Sequence, residues 1–357
     1  MFAANVAHVT TLPWFVRTIL VGLISFKLSG ANLEWTQEPG FRSAALPVPK
    51  EGQAGFTLLP PAITGLNFTN VLTDAKAAEN QIRLNGSGVA CGDVDGDGWC
   101  DVYLCGLENG NRLYRNLGAW KFEDITESAE VAYTDQYCTG AVFADVDGNG
   151  SLDLLVNGIG VGTRLFLNDG KGHFHEATGS GLVRKYGATT LALADVNGDG
   201  YLDIYVANYR TTTIRSTGLP LLKINGQLSI RPEDREDYEL SPQGLIIEHG
   251  EPDFLYLNDG HGNFQSLSWT GGVLLDEDGR PLIKAPRDWG LCAAFRDLNG
   301  DCVLDLYVCN DFQTPDRIWI NDGQAHFRAL SRSAVRIISI FSMSVDFVDI
   351  NHDKFDD

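Results

Sequence analysis

The stretch DVDGDGWCD, residues 93–101, places four carboxylates within nine residues, at the first, third, fifth and ninth positions. Glycines stand at the fourth and sixth positions, where a tight turn needs backbone conformations that other residues adopt only at a cost. Like charges this close repel one another unless a cation is held between them. The stretch therefore raises two questions: which cation it binds, and why the chain repeats it.

The same nine-residue pattern recurs along the chain. It returns as DVDGNGSLD at residue 145, DVNGDGYLD at 195, DLNGDCVLD at 297 and DINHDKFDD at 349. Four of the five copies also have an apolar segment ending in Asn, followed six residues later by Phe. These pairs are Asn116 and Phe122, Asn168 and Phe174, Asn258 and Phe264, and Asn321 and Phe327. One such pair lies between residues 195 and 297, so we interpret that span as a single repeat with an insertion at 209–252.

Each repeat has the pattern of four short strands. In the first, residues 86–92 form an apolar run, the acidic loop follows, and DVYLCG begins a second strand. NRLYRN and KFEDIT supply the third and fourth strands, joined by a turn; Asn-Asp-Gly at this place in other repeats is a strong hairpin signal, because Asn and Gly tolerate the positive φ that tight turns need. Such tandem units indicate an all-β fold, a β-propeller of four-stranded blades. We expect four complete blades and the start of a fifth, near residues 86–135, 136–185, 186–285, 286–335 and 336–357.

The acidic loops are expected to bind Ca²⁺. Side chains at positions one, three, five and nine and the backbone carbonyl at position seven would supply oxygen ligands, which suit Ca²⁺ better than Mg²⁺. Loop by loop, the predicted metal ligands are Asp93, Asp95, Asp97, Trp99 and Asp101; Asp145, Asp147, Asn149, Ser151 and Asp153; Asp195, Asn197, Asp199, Tyr201 and Asp203; Asp297, Asn299, Asp301, Val303 and Asp305; and Asp349, Asn351, Asp353 and Asp357.

Two other interpretations of these loops are weaker. An EF-hand needs Glu at the twelfth position, where the first four loops have Leu104, Val156, Val206 and Val308. An ordinary Asp-rich turn would explain one match, but not five matches at the same place in a repeat. The pattern therefore predicts a calcium-binding β-hairpin.

The five loops are not expected to bind calcium equally well. The first has four carboxylates at ligand positions, whereas each of the others has Asn at one of them. The fourth has Cys302 in place of the turn glycine, and a non-glycine residue at positive φ costs about 1–2 kcal/mol. The fifth contains His352 and Lys354. We therefore expect the first three loops to be the strongest sites.

The chain of 357 residues has a formal net charge of -20, which disfavours nucleic acid and anionic membrane surfaces as partners. Residues 1–31 are expected to be a signal peptide, because Arg17 precedes the apolar run TILVGLISF and small residues end at Ala31. An uncleaved interfacial anchor is the alternative. Residues 32–85 are expected to form a leader and a first outer strand. The mature chain is then predicted to have no integral membrane span and to be extracellular, or periplasmic or cell-surface in a bacterium.

Seven cysteines without a CxxC spacing indicate neither a disulfide framework nor a thiolate metal site. Cys91, Cys100, Cys105 and Cys309 lie in strand-like segments and are interpreted as small buried residues. A single disulfide remains open.

The repeat resembles a known family. NGSGVACGDVDGDGWCDVYLCG followed by FEDITESAEV is similar to the FG-GAP or VCBS repeats of the cartilage acidic protein family, and the acidic loop resembles the calcium loops of the integrin α-chain β-propeller. The resemblance covers residues 52–357 and implies a seven-bladed propeller, usually followed by a C-terminal ASPIC/UnbV domain. This chain has four complete copies and no such domain, so we expect it to be a fragment.

Two classes of function remain open. The first is an extracellular binding, adhesion or scaffold module for a protein or glycan partner, with calcium in a structural role. The second is a propeller enzyme acting on carbohydrate, of the polysaccharide lyase or sugar dehydratase type, which would need a non-repeated cluster of base, acid and cation.

The histidines and the insertion bear on this choice. His173, His261 and His326 fall in the recurrent turns and are interpreted as solvated turn residues, so no catalytic residue is assigned. The insertion at 209–252 is predicted to supply the partner-specific surface. A cluster of His, Arg and Tyr built by this insertion would favour an enzyme, and a flat polar rim would favour a binding module.

Overall fold

The computed structural model describes residues 35–39, 41–44, 55–134, 136–312, 314–335 and 338–350. The chain divides into two compact units, residues 1–58 and 59–357. In the first unit, strand β1 (Trp35–Glu38) pairs antiparallel with β2 (Phe41–Ala44). The expected signal peptide, residues 1–31, lies outside the described residues.

The second unit consists mainly of antiparallel sheets whose strands pair in chain order. The described residues form four such sheets. The first contains β3 (Val89–Gly92), β4 (Asp101–Leu104), β5 (Arg112–Asn116) and β6 (Phe122–Asp124). The second contains β7 (Tyr137–Ala144), β8 (Asp153–Ile159), β9 (Gly162–Asn168) and β10 (Phe174–Glu176). The third contains β11 (Ala188–Ala194), β12 (Asp203–Asn208), β17 (Phe254–Asn258) and β18 (Phe264–Ser266). The fourth contains β20 (Gly290–Arg296), β21 (Asp305–Asn310), β22 (Arg317–Asn321) and β23 (Phe327–Ala329).

The fourth sheet has one strand more than the sequence pattern predicts. Strand β19 (Leu274–Leu275) pairs parallel with β23, with Leu274 opposite Phe327. The long connection between the third and fourth sheets reaches this outer edge, where the Phe327 amide donates to the Val273 carbonyl at 2.9 Å. The extra strand satisfies backbone groups that an edge strand would otherwise leave unpaired.

Short helices lie outside the sheets. They span Pro61–Thr64, Asp74–Glu79 and Ile214–Thr217, with 3₁₀ turns at Gln81–Asn85 and Pro232–Asp234. No helix in the described part of the chain is long and apolar enough to cross a membrane.

Residues 209–252 connect the second and third strands of the third sheet. They form two hairpins, β13 (Leu221–Ile224) with β14 (Gln227–Ile230) and β15 (Tyr238–Leu240) with β16 (Ile246–Glu248). Each hairpin pairs within itself, so the segment has regular structure of its own while the third sheet keeps its strand order.

Arg210 anchors these hairpins to the end of β12. Its side chain is 4% exposed and donates from Nη1 to the His249 carbonyl at 2.7 Å and from Nη2 to Tyr238 Oη at 3.2 Å. The Glu248 carboxylate lies 3.5 Å from Nε, and the guanidinium lies 4.9 Å from the centre of the Tyr238 ring. A buried guanidinium with this many partners is a structural anchor, because the loss of any partner would leave a buried donor or charge unsatisfied.

The hydrophobic core is divided into layers between successive sheets. One buried cluster contains Tyr103 of the first sheet and Leu154 of the second, and another contains Leu165 of the second and Tyr256 of the third. A further cluster contains Tyr205 of the third sheet and Trp319 of the fourth, and each of these residues is at most 1% exposed. Face-to-face packing of consecutive four-stranded sheets is typical of propeller blades.

The first strands of neighbouring sheets approach one another closely. A Cβ added to Gly140 would lie 2.9 Å from the Thr189 carbonyl oxygen. The Thr139 and Thr190 hydroxyls donate across the gap to the Ala188 and Leu291 carbonyls, each at 2.6 Å. The small and hydroxylated residues of these strands therefore permit a close approach that larger side chains would block.

The interpretation of four cysteines as buried residues is half right. Cys105 and Cys309 are buried, but Cys91 and Cys100 are exposed. Alternation along β3 explains Cys91, since Ala90 is buried while Val89 and Cys91 point to the opposite, exposed face.

Candidate metal centres

The acidic loops join the first and second strands of the sheets. Residues 93–101 connect β3 to β4, and residues 145–153, 195–203 and 297–305 hold the same place in the other three sheets. The ninth-position residues Asp101, Asp153, Asp203 and Asp305 each begin a second strand. A strand therefore leaves each loop, so these four loops are hairpin loops and not EF-hands. Of the fifth loop's ligands, Asp349 lies among the described residues, and Asn351, Asp353 and Asp357 lie outside them.

The first-position Asp holds the loop backbone in a tight turn. Asp93 Oδ1 accepts hydrogen bonds from the Gly96 and Asp97 amides at 2.9 and 3.1 Å, and Oδ2 accepts from the Gly98 amide at 2.9 Å. The residues that repeat this arrangement in the other loops are Asp145, Asp195 and Asp297. The glycines at positions four and six of loop one have φ of 73° and 89°, a region that side chains disfavour.

The third, fifth and seventh positions are linked in series. In loop two, the Asn149 amide donates to Asp147 Oδ1 at 3.1 Å, and the Ser151 amide donates to Asn149 Oδ1 at 2.7 Å. The residues in these places elsewhere are Asp95, Asp97 and Trp99; Asn197, Asp199 and Tyr201; and Asn299, Asp301 and Val303. The loops thus bring side-chain oxygens from positions one, three and five onto one turn of backbone.

The seventh-position side chain packs against the turn that follows the third strand. A Cβ added to Gly260 would lie 2.4 Å from the Tyr201 ring, and one added to Gly170 would lie 2.8 Å from Ser151 Oγ. Trp99 and Val303 lie against Gly118 and Gly323 in the same way. At Gly260 and Gly118 this contact gives a steric reason for glycine in addition to the positive φ, whereas the distance of 3.4 Å at Gly323 is an ordinary van der Waals contact.

The ninth-position Asp has a role that the sequence pattern did not reveal. All four described copies, Asp101, Asp153, Asp203 and Asp305, are 0% exposed. In loop two, Asp153 Oδ2 accepts from the Val146 amide at 3.0 Å and Oδ1 from the Asn168 amide at 2.9 Å. The carboxylate therefore ties the start of the loop to the end of the third strand, whether or not it also binds a metal.

Burial makes these ninth-position carboxylates unusually weak acids. It raises the pKa of Asp153 and of Asp203 to about 6, although two amide hydrogen bonds to each carboxylate act in the opposite direction. Burial also raises the pKa of Asp101 and Asp305, and the neighbouring loop carboxylates add to the effect in every case. A cation bound in the loop would favour the ionised form.

Two loops gather three carboxylates into one place. Asp93, Asp95 and Asp101, and likewise Asp145, Asp147 and Asp153, offer oxygens that all lie within 4.8 Å of one another. An all-oxygen donor set on a flexible, glycine-containing loop fits Ca²⁺, which accepts six to eight such ligands. In loops three and four the third position is Asn197 or Asn299, whose amide oxygen is a neutral donor.

Loop one contains a competing cation. Arg115 Nε lies 2.6 Å from Asp95 Oδ2, on the third strand of the same sheet. The other sheets have Leu167, Leu257 and Ile320 at this place. The count of four carboxylates therefore overstates the attraction of loop one for a metal, because one of them is already paired.

Loop four contains the strain that its sequence predicts. Cys302 takes a φ of 68° in place of the usual glycine, and its amide still donates to Asp297 Oδ2 at 2.8 Å. This hydrogen bond is the largest cause that lowers the pKa of Asp297. The loop thus keeps its hydrogen bonds at the conformational cost of a non-glycine residue in the left-handed region.

In the second, third and fourth sheets, the Asn that ends the third strand links two acidic loops. Asn258 Nδ2 donates to the Val146 carbonyl of loop two at 2.9 Å and to the Leu202 carbonyl of loop three at 3.2 Å. Its backbone amide donates to Asp203 Oδ1 at 2.9 Å. One buried side chain therefore joins the third sheet to the loop of the second.

The same link recurs in the neighbouring sheets. Asn168 Nδ2 donates to the Val94 carbonyl of loop one at 2.8 Å, and Asn321 Nδ2 donates to the Val196 carbonyl of loop three at 2.9 Å. In the first sheet, Asn116 donates to the Cys100 carbonyl of its own loop at 2.9 Å. The first three acidic loops are thus each bonded to the next sheet along the chain.

The turns after these Asn residues join the third and fourth strands as hairpins, as the sequence predicted. One glycine in each turn has a positive φ, at 78°, 77°, 76° and 80° for Gly118, Gly170, Gly260 and Gly323, and the Asn that ends the third strand does not. Ala119, Trp120 and Ala325 in these turns also have positive φ. The requirement for Asn comes from its side-chain hydrogen bonds. His173, His261 and His326 are exposed and lie in or beside these turns, as interpreted from the sequence.

A family model for the FG-GAP-like repeat matches residues 93–156, 158–206 and 297–357. The curated relatives include cartilage acidic protein 1 of Homo sapiens, 28% identical over 204 residues, and that of Xenopus tropicalis, 26% identical over 202 residues. Each alignment covers 56% of this chain, but 27% of the human and 28% of the Xenopus protein. The match thus spans little more than a quarter of the length of these relatives.

Similar solved structures include an Agrocybe aegerita lectin described as recognising non-reducing terminal N-acetylglucosamine, with 19% identity and a TM-score of 0.29 over 67% of this chain and 64% of the lectin. The V. cholerae biofilm matrix protein Bap1 has 18% identity and a TM-score of 0.28 over 67% of this chain and 38% of that chain. Likeness at this level does not extend to ligands or partners.

The chain is a repeat protein in which four described sheets each carry an acidic hairpin loop, and hydrogen bonds from Asn168, Asn258 and Asn321 join each sheet to the one before it. The chain contains FG-GAP-like repeats and is similar to cartilage acidic protein 1 over 56% of its length. The resemblance stated from the sequence is confirmed.

Asn258→Ala should destabilise the folded chain by at least about 2 kcal/mol, because two buried carbonyl groups lose their donor. Chemical denaturation measures the change. Asn263→Ala is the matched control, since Asn263 lies in the same turn with an exposed side chain that donates to Asp259, and should cost less than about 1 kcal/mol. Equal losses in the two variants would contradict the linking role of Asn258.

Arg115→Leu should strengthen calcium binding at loop one about fivefold to tenfold, because it removes a cation about 4 Å or less from a predicted ligand. Titration calorimetry with Ca²⁺ measures the change, and Leu is the residue that two other sheets have at this place. Arg112→Leu is the control, because Arg112 lies on the same strand but 3.6 Å from Asp124. Unchanged calcium binding in Arg115→Leu would show that the ion pair does not compete.

Asp203→Asn should alter the pH dependence of stability in chelator. The folded-state pKa of about 6 lies above the ordinary 3.8, so the unfolded chain ionises first as the pH rises. The parent protein should therefore lose stability relative to the variant between about pH 4 and pH 6, with little further change above. Thermal midpoints of both proteins across this pH range test the direction of the change. A parent protein that becomes more stable relative to the variant as the pH rises would refute the prediction.

Proposed function

We propose that this chain forms part of an extracellular, calcium-stabilised β-propeller that acts as a binding or scaffold module for a protein or glycan. The observation that carries the proposal is the repetition of one acidic hairpin loop in four consecutive sheets, with three carboxylates within 4.8 Å in two of them. The resemblance to cartilage acidic proteins supports the extracellular location and the propeller of about seven blades.

Calcium has a structural role in this proposal. Each loop directs its oxygens onto its own turn, and Asp101, Asp153, Asp203 and Asp305 are buried and bonded to backbone amides. Neutralising the loop carboxylates would stabilise the turn and, through Asn168, Asn258 and Asn321, the neighbouring sheet. The residues present would hold the ion with carboxylate and amide oxygens.

The partner surface is proposed to lie at a cleft beside the insertion. The cleft has a volume of about 570 Å³ and is lined by three separate segments: Glu79 before the first sheet, Ile246 and Glu248 of the insertion, and Trp289 and Phe312, which lie just before β20 and just after β21 of the fourth sheet. Apolar and aromatic walls with a few polar groups are typical of ligand sites.

The arrangement of the insertion favours binding over catalysis. Arg210 and Tyr238 do lie together, as an enzyme site would require, but the guanidinium is buried and satisfied by Tyr238, Glu248 and the His249 carbonyl. These contacts hold the hairpins rigidly against the third sheet. A rigid support suits a surface that recognises a partner.

Excess Ca²⁺ should raise the thermal midpoint relative to chelator, because each occupied site adds about 2.7 kcal/mol to the free energy of unfolding at a hundredfold excess over Kd. Mg²⁺ should have a much smaller effect. The double variant D145N/D147N should lose part of this gain. Asp169→Asn is the control, because Asp169 is an exposed turn residue outside the acidic loops. Identical midpoints of the parent protein in Ca²⁺ and in chelator would overturn the calcium assignment.

Ile246→Asp should abolish partner binding, because it places a charge in the apolar wall of the cleft. The measurement is binding of the labelled full-length protein, in Ca²⁺, to a glycan array and to cell surfaces treated with glycosidase or protease. Leu228→Asp is the control, an exposed position of the same insertion outside the cleft. Binding lost in Leu228→Asp but kept in Ile246→Asp would place the partner surface elsewhere.

A further inference from the structure

Two cysteines face each other across the first two strands of the fourth sheet. Cys292 of β20 lies directly opposite Cys309 of β21, next to a register shift after Gly290. Directly opposed residues of an antiparallel pair have Cα atoms about 4.5–5.5 Å apart. That separation falls within the range of about 4.4–6.8 Å that a disulfide needs.

The facing positions in the other sheets do not contain two cysteines. The corresponding pairs are Gly140 with Asn157 in the second sheet and Thr190 with Ala207 in the third. In the first sheet, the Cys105 amide donates to the Gly88 carbonyl at 3.0 Å. Among the described sheets, a facing pair of cysteines at this place is therefore particular to the fourth.

The two thiols differ in exposure and acidity. Cys292 is half-buried, whereas Cys309 is 1% exposed. A hydrogen bond from Cys309 is the largest cause that lowers the pKa of Cys292 to about 6, and the Val345 amide and the Ser344 side chain act in the same direction. The same contact, together with burial, raises the pKa of the Cys309 thiol. Cys292 is thus the more accessible and more acidic thiol, and Cys309 is its buried neighbour.

We propose that Cys292 and Cys309 form a disulfide that ties the first strand of the fourth sheet to the second. The oxidant is a low-molecular-weight disulfide of the glutathione type. The Cys292 thiolate attacks one of its sulfurs, forms a mixed disulfide and releases one thiolate. Cys309 then gives up its proton and displaces the second thiolate from Cys292. Two protein thiols are oxidised by two electrons, and the small disulfide is reduced to two thiols.

The link would restrain the hairpin that contains loop four. Strand β20 ends just before Asp297, and strand β21 begins at Asp305, so the two cysteines lie on the stem beneath this loop. Loop four is the one in which Cys302 takes the left-handed conformation in place of glycine. A covalent bond in the stem would limit opening of this strained loop.

Disulfide mapping of the folded protein tests the proposal. The protein is equilibrated in mixtures of reduced and oxidised glutathione, alkylated, and digested with trypsin and then with endoproteinase Asp-N. Trypsin releases Cys292 in residues 288–296, and cleavage before Asp305 separates Cys302 from Cys309. The expected product links Cys292 to Cys309 and has two fewer free thiols. A link from Cys292 to Cys302, or alkylation of both Cys292 and Cys309 at every glutathione ratio, would overturn the proposal.

Single variants separate the roles of the two thiols. Cys309→Ser should retain a glutathione on Cys292, because no neighbouring thiol displaces it, whereas Cys292→Ser should leave Cys309 unmodified. Cys91→Ser is the control and should keep the link, since Cys91 faces Val102 on the first sheet. Equal glutathione uptake by Cys309 in Cys292→Ser would refute the assignment of Cys292 as the attacking thiol. If a variant fails to fold, disulfide mapping of the parent protein still tests the link between Cys292 and Cys309.

Discussion

The structure depends on the buried carboxylate at the ninth position of each acidic loop and on the Asn whose backbone amide donates to it. In the third sheet, Asp203 accepts the amides of Val196 and Asn258, and Asn258 in turn donates to the loop of the second sheet. One continuous set of hydrogen bonds therefore joins the acidic loop, the end of the third strand and the loop of the neighbouring sheet. Because these groups are buried, each bond left unmade would carry the full cost of desolvation.

That arrangement creates an electrostatic problem which a divalent cation would relieve. Burial disfavours the ionised form of Asp153, and Asp145 and Asp147 add negative charge nearby. The amide hydrogen bonds from Val146 and Asn168 offset part of the rise in pKa, and they also fix the geometry of the loop. In loop one the chain supplies its own cation, Arg115, beside Asp95. Loops built on one pattern can therefore differ in their need for a metal, according to the residues that the third strand places beside them.

The repeats and the insertion have different structural roles in the second unit. The repeats form a regular frame whose layers of core lie between sheets, and the insertion leaves the third sheet's order unchanged. Arg210 fixes the inserted hairpins to that frame with contacts to Tyr238, Glu248 and the His249 carbonyl. A repeated frame that supports a separate inserted surface is a common way for repeat folds to acquire specific partners.

The sequence by itself determined the repeating unit, the hairpin nature of the loops, the insertion within the third repeat and the strained glycine replacement at Cys302. These depend on local periodicity and turn chemistry, which a short window of residues contains. The tertiary structure decided what depends on distant contacts: the inter-sheet role of Asn258, the pairing of Arg115 with Asp95, the exposure of Cys91 and the extra strand of the fourth sheet. Such features follow from which elements become neighbours, and residue order along one strand does not specify its neighbours.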